Sequence, residues 1–174
     1  MKKIYMATLM SVIFVSSFAQ LSGTYTIGGT GYNYSTIASA VSALENNGIN
    51  GPVTFLIRNG TYSRTYLDSV PGSSSVNTVL FESESGDSST VIMSDNTNVT
   101  YPSVFTISGC NYITIQGITI RGIGTDYCRA VSIFGGSNNT IRNCVLEGDI
   151  TSVIVPERKA TLYLLGDGHT VVNN

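Results

Sequence analysis

Asp95, Arg121 and Glu147 stand 26 positions apart. On a chain that repeats at that interval they form one outward column of alternating charge. Paired carboxylates flanking a scissile bond carry glycoside hydrolysis, so the column could form part of a site. Alternating signs are also what a ladder of exposed ion pairs displays, and that plainer reading is preferred. Arg58 and Glu84, also 26 apart, read the same way. His169 is the sole histidine, in Gly166-Asp167-Gly168-His169. One imidazole cannot supply a multi-histidine zinc site, so a turn beside a strand is expected there and no metal site is assigned. Tyr101, Tyr112 and Tyr127 fall at or near expected loops. Their ring faces could stack on sugars, or pack against their own loops. Of the three cysteines, Cys144 falls in an apolar column and reads as a small core residue. Cys110 and Cys128 fall at corners, and their spacing leaves a disulfide open.

These residues must be held by a repeat. Written in rows of 26 from Pro52 to Gly148, the chain stacks without a gap. Val53, Val79, Phe105 and Val131 share one column; Phe55, Phe81, Ile107 and Ile133 share a second; Tyr66, Ile92, Ile118 and Cys144 share a third. A fixed period of this size marks a solenoid. Within rows, Val53-Thr54-Phe55, Phe105-Thr106-Ile107 and Val131-Ser132-Ile133 alternate with period 2, which means strand. Ile113-Thr114-Ile115 and Ile118-Thr119-Ile120 add further short strands. Three strands per row, each stacked on its equivalent, give an all-β solenoid: a right-handed parallel β-helix with ~26-residue coils. Asn59, Ser85, Asn111 and Ser137 share a turn register, and Gly117 and Asn143 share another. Gly and Asn tolerate the positive φ of a tight corner.

Three regions follow. Residues 1–19 read as a secretory signal: Lys2 and Lys3, then the apolar Ile4–Phe18, then Ala19 before the cut. That places the protein outside the cell or on its surface, with no membrane span after removal. Residues 20–51 hold a strand, Thr24–Ile27, and a glycine-rich turn, GGTG, which lacks the lysine and flanking helix of a phosphate loop. They also hold a helix over Ser35–Asn47, with Ser35 as N-cap, Gly48 at C′, and Ile37, Val41 and Leu44 on one face. Such a helix suits the open N-terminal end of a β-helix. Residues 52–174 are the coils. Beyond Gly148 the period slips by five residues, and the pattern stops in mid-coil at Asn174. The expectation is a truncated C-terminus, with missing coils of the same chain as its partner. With 9 Lys and Arg against 11 Asp and Glu, net charge −2, no basic surface exists for nucleic acid.

The segments SGTYTIGGTGYNYSTIASAVSALENNGINGPVTFLIRNGTY, NYITIQGITIRG and NNTIRNCVLEG resemble the right-handed parallel β-helix, or pectin-lyase-like, superfamily, in particular the N-terminal part of long secreted Bacteroidetes proteins. The resemblance implies the fold. It leaves the activity open, because that fold hosts pectate lyases, polygalacturonases, pectin esterases and non-catalytic surface proteins. A lyase of this kind would need an acidic calcium cluster and a base, and neither stands here as a compact motif. No cofactor is therefore assigned, with calcium entering only for a lyase. The polygalacturonase GHG element is broken by Thr170. The expected function is a secreted or cell-surface scaffold or adhesion-type module that contacts extracellular polysaccharide. The alternative is the N-terminal part of a polysaccharide lyase or glycoside hydrolase whose active residues lie in further coils.

Overall fold

The computed structural model describes residues 19–148, 158 and 160–174; the expected signal lies almost wholly outside them. The chain is a parallel β-solenoid of about five turns with one short helix. The first sheet stacks β1 (Leu21–Ile27), β2 (Ile49–Ile57), β5 (Val79–Ser83), β8 (Ile113–Gln116), β11 (Thr140–Arg142) and β14 (Thr170–Val172). The second stacks β3 (Gly60–Tyr62), β6 (Val91–Asn96), β9 (Thr119–Ile123) and β12 (Val145–Gly148). The third stacks β4 (Thr65–Leu67), β7 (Ser103–Ser108), β10 (Arg129–Ser137) and β13 (Leu162–Asp167). Every strand pair is parallel, and the arrangement is consistent with the right-handed coil expected.

Alternation within these strands fills the interior. Val53, Phe55 and Ile57 point inward with Val79, Phe81, Ile113 and Ile115, all buried. A run of rings threads the first coils. Tyr25 and Tyr34 pack on Phe55, Phe55 stacks on Phe81 at 4.9 Å and 20°, and Phe81 meets Phe105 edge-on at 5.8 Å. Each such side chain contributes roughly 1.5–3 kcal/mol by leaving water.

The gap-free columns need correction. Phe55 does pair with Phe81, but Phe81 pairs with Ile115, not Ile107. Ile107 pairs with Ile133 in the third sheet. The first two columns therefore break between the second and third rows. The coil there is longer, as the hydrogen bond between Glu82 and Gln116, 34 residues apart, reports. Phe105-Thr106-Ile107 and Ile113-Thr114-Ile115 have the same apolar–polar–apolar form and start eight residues apart. A periodic reading slides from one onto the other. The turn register breaks at the same place: Asn59 and Ser85 follow the first sheet, whereas Asn111 and Ser137 precede it. In the third column only Ile118 and Cys144 are buried equivalents; Tyr66 faces solvent at 57% exposure.

The helix, α1 (Ile37–Asn47), begins one residue later than expected. Thr36 is the N-cap, in a capping box with Ser39, and Ser35 lies outside it. Ile37, Ala40, Val41 and Leu44 are buried, packed on β4, β1 and β2 at the N-terminal end. Glu45 accepts a hydrogen bond from the Asp68 N–H at 2.9 Å, satisfying backbone just past the edge strand β4. At the other end, inward-facing Leu164 and Val171 are 37% and 43% exposed.

Two corners repeat. Tyr112, Asn138 and Gly168 adopt φ of 57°, 57° and 65°, and Gly117, Asn143 and Asn173 adopt 60°, 53° and 54°. Each set lies one coil apart. The second holds the Gly117–Asn143 register read from the sequence and extends it to Asn173. Cys144 and Asn174 follow in register, and the Asn174 amide replaces an apolar partner: it accepts from the Cys144 N–H and donates to the Ile141 carbonyl.

Candidate functional site

The third sheet positions the most site-like surface. Its inward residues, Leu67, Phe105, Ile107, Val131 and Ile133, are fixed in the core. Alternation then turns Tyr66, Thr106, Ser132 and Tyr163 to the opposite face, in one paired row across the four strands. Neighbouring strands sit ~4.8 Å apart, so the row spans about 14 Å. Bulky rings stand at both ends, with short hydroxyl side chains between them.

Beside this row the loop from β6 to β7 folds over. Asn98 accepts hydrogen bonds from the Thr100 and Tyr101 N–H groups at 2.9 and 3.0 Å, and its own N–H donates to the Tyr101 carbonyl. That tight turn presents Tyr101, which is 51% exposed. Tyr66, Tyr101, Pro102, Ser103 and Thr106 thus enclose a groove of about 340 Å³, with Phe134 on its far side in ring contact with Tyr163 at 5.4 Å. Ser103 and Ser132 share a buried hydroxyl–hydroxyl bond of 2.5 Å beneath it.

Arg64 borders the groove. Its guanidinium lies 4.1 Å from the centroid of the Tyr101 ring, donates to the Asn96 carbonyl at 3.0 Å, and stands 3.8 Å from Asp95. A cation over a ring face holds the ring as well as the charge. The groove combines exposed aromatic faces with hydroxyls and a cation, a surface that can stack on an apolar ring face and hydrogen-bond to its polar edge.

The candidates from the sequence separate. Tyr101 lies in the groove. Tyr112 sits at a corner at positive φ, half-buried, with its N–H on the Ser137 carbonyl. Tyr127 is half-buried, with the guanidinium groups of Arg129 and Arg158 at 5.8 and 5.3 Å from its ring. Tyr66 shares its sequence column with the buried Ile118 and Cys144 yet faces outward, and its alternation with buried Leu67 is the signal for that.

The charge column is brought together only in part. Arg121 pairs with Glu147 across β9 and β12, and the carboxylate raises the arginine's proton affinity. Asp95 lies beside Gly122 and turns to Arg64, accepting its N–H at 3.1 Å. Arg58 and Glu84 meet through Tyr32 instead: the guanidinium is 5.4 Å from its ring, and its hydroxyl donates to Glu84 at 3.2 Å. His169 sits in the turn between β13 and β14. Its Nδ1 accepts from the Asn139 N–H and its Nε2 lies 3.3 Å from the Leu165 carbonyl. The three cysteines are buried thiols with no disulfide among them. Burial pushes the Cys110 thiol up to about 12, with Asp68 and Glu45 adding to the effect. Among the described residues, no group of three or more His, Cys, Asp or Glu is placed to hold a metal ion.

The fold is thus a parallel β-solenoid with an aromatic-edged groove on its third sheet. Compared with protein-family models, with curated proteins and with solved structures, the chain matches none.

Proposed function

We propose that this protein is an extracellular β-helix of the pectin-lyase-like kind whose third-sheet groove binds a glycan, and that it works as a non-catalytic scaffold or adhesion-type module. The observation that carries the reading is the pair of exposed rings, Tyr66 and Tyr101, lining one groove with Pro102, Ser103 and Thr106. Large aromatic surface left in water on a rigid sheet is the kind of surface that recognition uses, since a flat ring offers contact area at low entropy cost. The charged groups beside it are engaged with one another or with backbone, which supports binding over catalysis. Export is supported by the pattern of Met1–Ala19, and the superfamily by the segments quoted above.

The test is retention of the full chain in gels containing neutral, acidic or sulfated polysaccharides, with reducing-sugar release measured in parallel. Retention by at least one polymer is expected, without sugar release. Tyr101→Ala is expected to weaken it about tenfold, equivalent to ~1.4 kcal/mol, with the circular dichroism of the parent. Failure to bind any polymer, or full binding by a Tyr66→Ala, Tyr101→Ala double variant, would sink the reading. Sugar release would favour a polysaccharide lyase or hydrolase.

A further inference from the structure

Among the described residues, Arg64 is the one charged side chain that lines the third-sheet groove. What its guanidinium can still do therefore decides the charge of the ligand the groove accepts. Its contacts are already made. One nitrogen donates to the Asn96 carbonyl at 3.0 Å, the guanidinium carbon lies 4.1 Å from the centroid of the Tyr101 ring, and Nε stands 3.8 Å from Oδ2 of Asp95.

Asp95 is fixed independently of that arginine side chain. Its Oδ2 accepts the backbone N–H of Arg64 at 3.1 Å, and its Oδ1 accepts the N–H of Asn96 at 2.8 Å. Both donors belong to the main chain, so the carboxylate keeps its place when the groove fills. An anion drawn to the guanidinium meets this fixed negative charge beside it. Opposite unit charges so close together act on a third charge as a dipole, and their Coulomb terms largely cancel. The other polar groups at the surface are neutral. Tyr66, Thr100 and Tyr101 are exposed, and each carries a hydroxyl that both donates and accepts. Such groups match the hydroxyls of a sugar, while the half-buried Pro102 and Phe134 supply apolar surface. Tyr101 carries the guanidinium against its ring and is still 51% exposed, which leaves ring surface for a ligand.

We infer that the groove selects an uncharged glycan over an acidic one, and that Asp95 sets this selectivity by holding Arg64 and cancelling its charge. The selectivity rests on the glycan reading above and narrows it to a neutral polysaccharide with apolar ring faces and hydroxyl edges, to the exclusion of uronate and sulfated chains. Arg64 is then a positioning residue, whose cation holds the Tyr101 ring in place. Asp95 thereby has a part of its own, separate from the Arg121–Glu147 pair that shares its spacing in the sequence.

The experiment measures retention of the full chain in gels of neutral polymers (β-glucan, xylan, galactomannan) and acidic ones (polygalacturonate, dextran sulfate). Each gel is run at about 0.05 and about 0.5 M sodium chloride, a range over which exposed charges become screened. At least one neutral polymer should be bound equally at both salt concentrations, and the acidic polymers at least about tenfold more weakly. Asp95→Asn keeps an acceptor for the backbone and removes the charge. With the circular dichroism of the parent, it should gain about tenfold in affinity for an acidic polymer at low salt and lose that gain at high salt. Adding Arg64→Gln to it should abolish the gain, since the freed guanidinium is its source. Acidic polymers bound as tightly as neutral ones by the parent, neutral binding that falls with salt, or a folded Asp95→Asn variant without the gain would each overturn the inference and leave the glycan reading standing. Retention by no polymer at all would remove both.

Discussion

Replacing Phe81 by alanine tests the interior most directly. The side chain is fully buried. Its ring stacks on Phe55 at 4.9 Å and meets the edge of Phe105 at 5.8 Å. A phenylalanine truncated in a packed core costs about 3–5 kcal/mol, the cavity included. Ring pairs add about 0.5–1.5 kcal/mol beyond area, so a site with two such contacts belongs in the upper half, at ~4–5 kcal/mol. In a solenoid each coil is held by its neighbours, so the loss falls on β2, β5 and β8 together. At about 2–4 °C per kcal/mol for a domain of this size, Tm should fall by roughly 8–20 °C. Phe81→Leu keeps most of the volume and should cost about 1–2 kcal/mol. The assay is thermal and urea unfolding of both variants, with hydrogen exchange to map which strands loosen. A fall in Tm under about 3 °C for the alanine variant, or equal losses for both, would refute the reasoning.

Three further outcomes follow from register, corner geometry and burial. Leu80 pairs with Thr114 in the first sheet, so Leu80→Cys with Thr114→Cys should crosslink on oxidation. Leu80→Cys with Thr106→Cys, the pairing a strict period of 26 demands, should not; a mass spectrum showing the reverse would reject the corrected register. Asn143 holds a corner at φ 53°; Asn143→Ala should lose about 1–2 kcal/mol in urea unfolding and Asn143→Gly much less, whereas equal losses would discard the corner argument. The Cys110 thiol is raised from an ordinary 9.0 to about 12, so the folded state holds its proton longer than the unfolded chain does. Its contribution to stability is therefore complete below pH 9 and declines between about 9 and 12. Folded protein at pH 8.5 should leave Cys110 unalkylated until denaturant is added, and rapid labelling would contradict its burial.

What the residues alone supply is the kind of order: short period-2 strands, Asn and Gly at tight corners, and one capped amphipathic helix where an end needs cover. Those follow from local sterics and from the need to bury alternate side chains, so they stand in the letters of the chain. Tyr101 was legible as an exposed ring for the same reason, being in a loop between strands. The true register was not. Phe105-Thr106-Ile107 and Ile113-Thr114-Ile115 are interchangeable as patterns, and only the lengths of the corners in three dimensions decide which one lies on Val79-Leu80-Phe81. The groove also depended on tertiary structure. Tyr66 joins Tyr101, 35 residues away, only because parallel stacking sets β4 beside β7, and a side chain's neighbours across a sheet are determined by the coil and not by sequence separation.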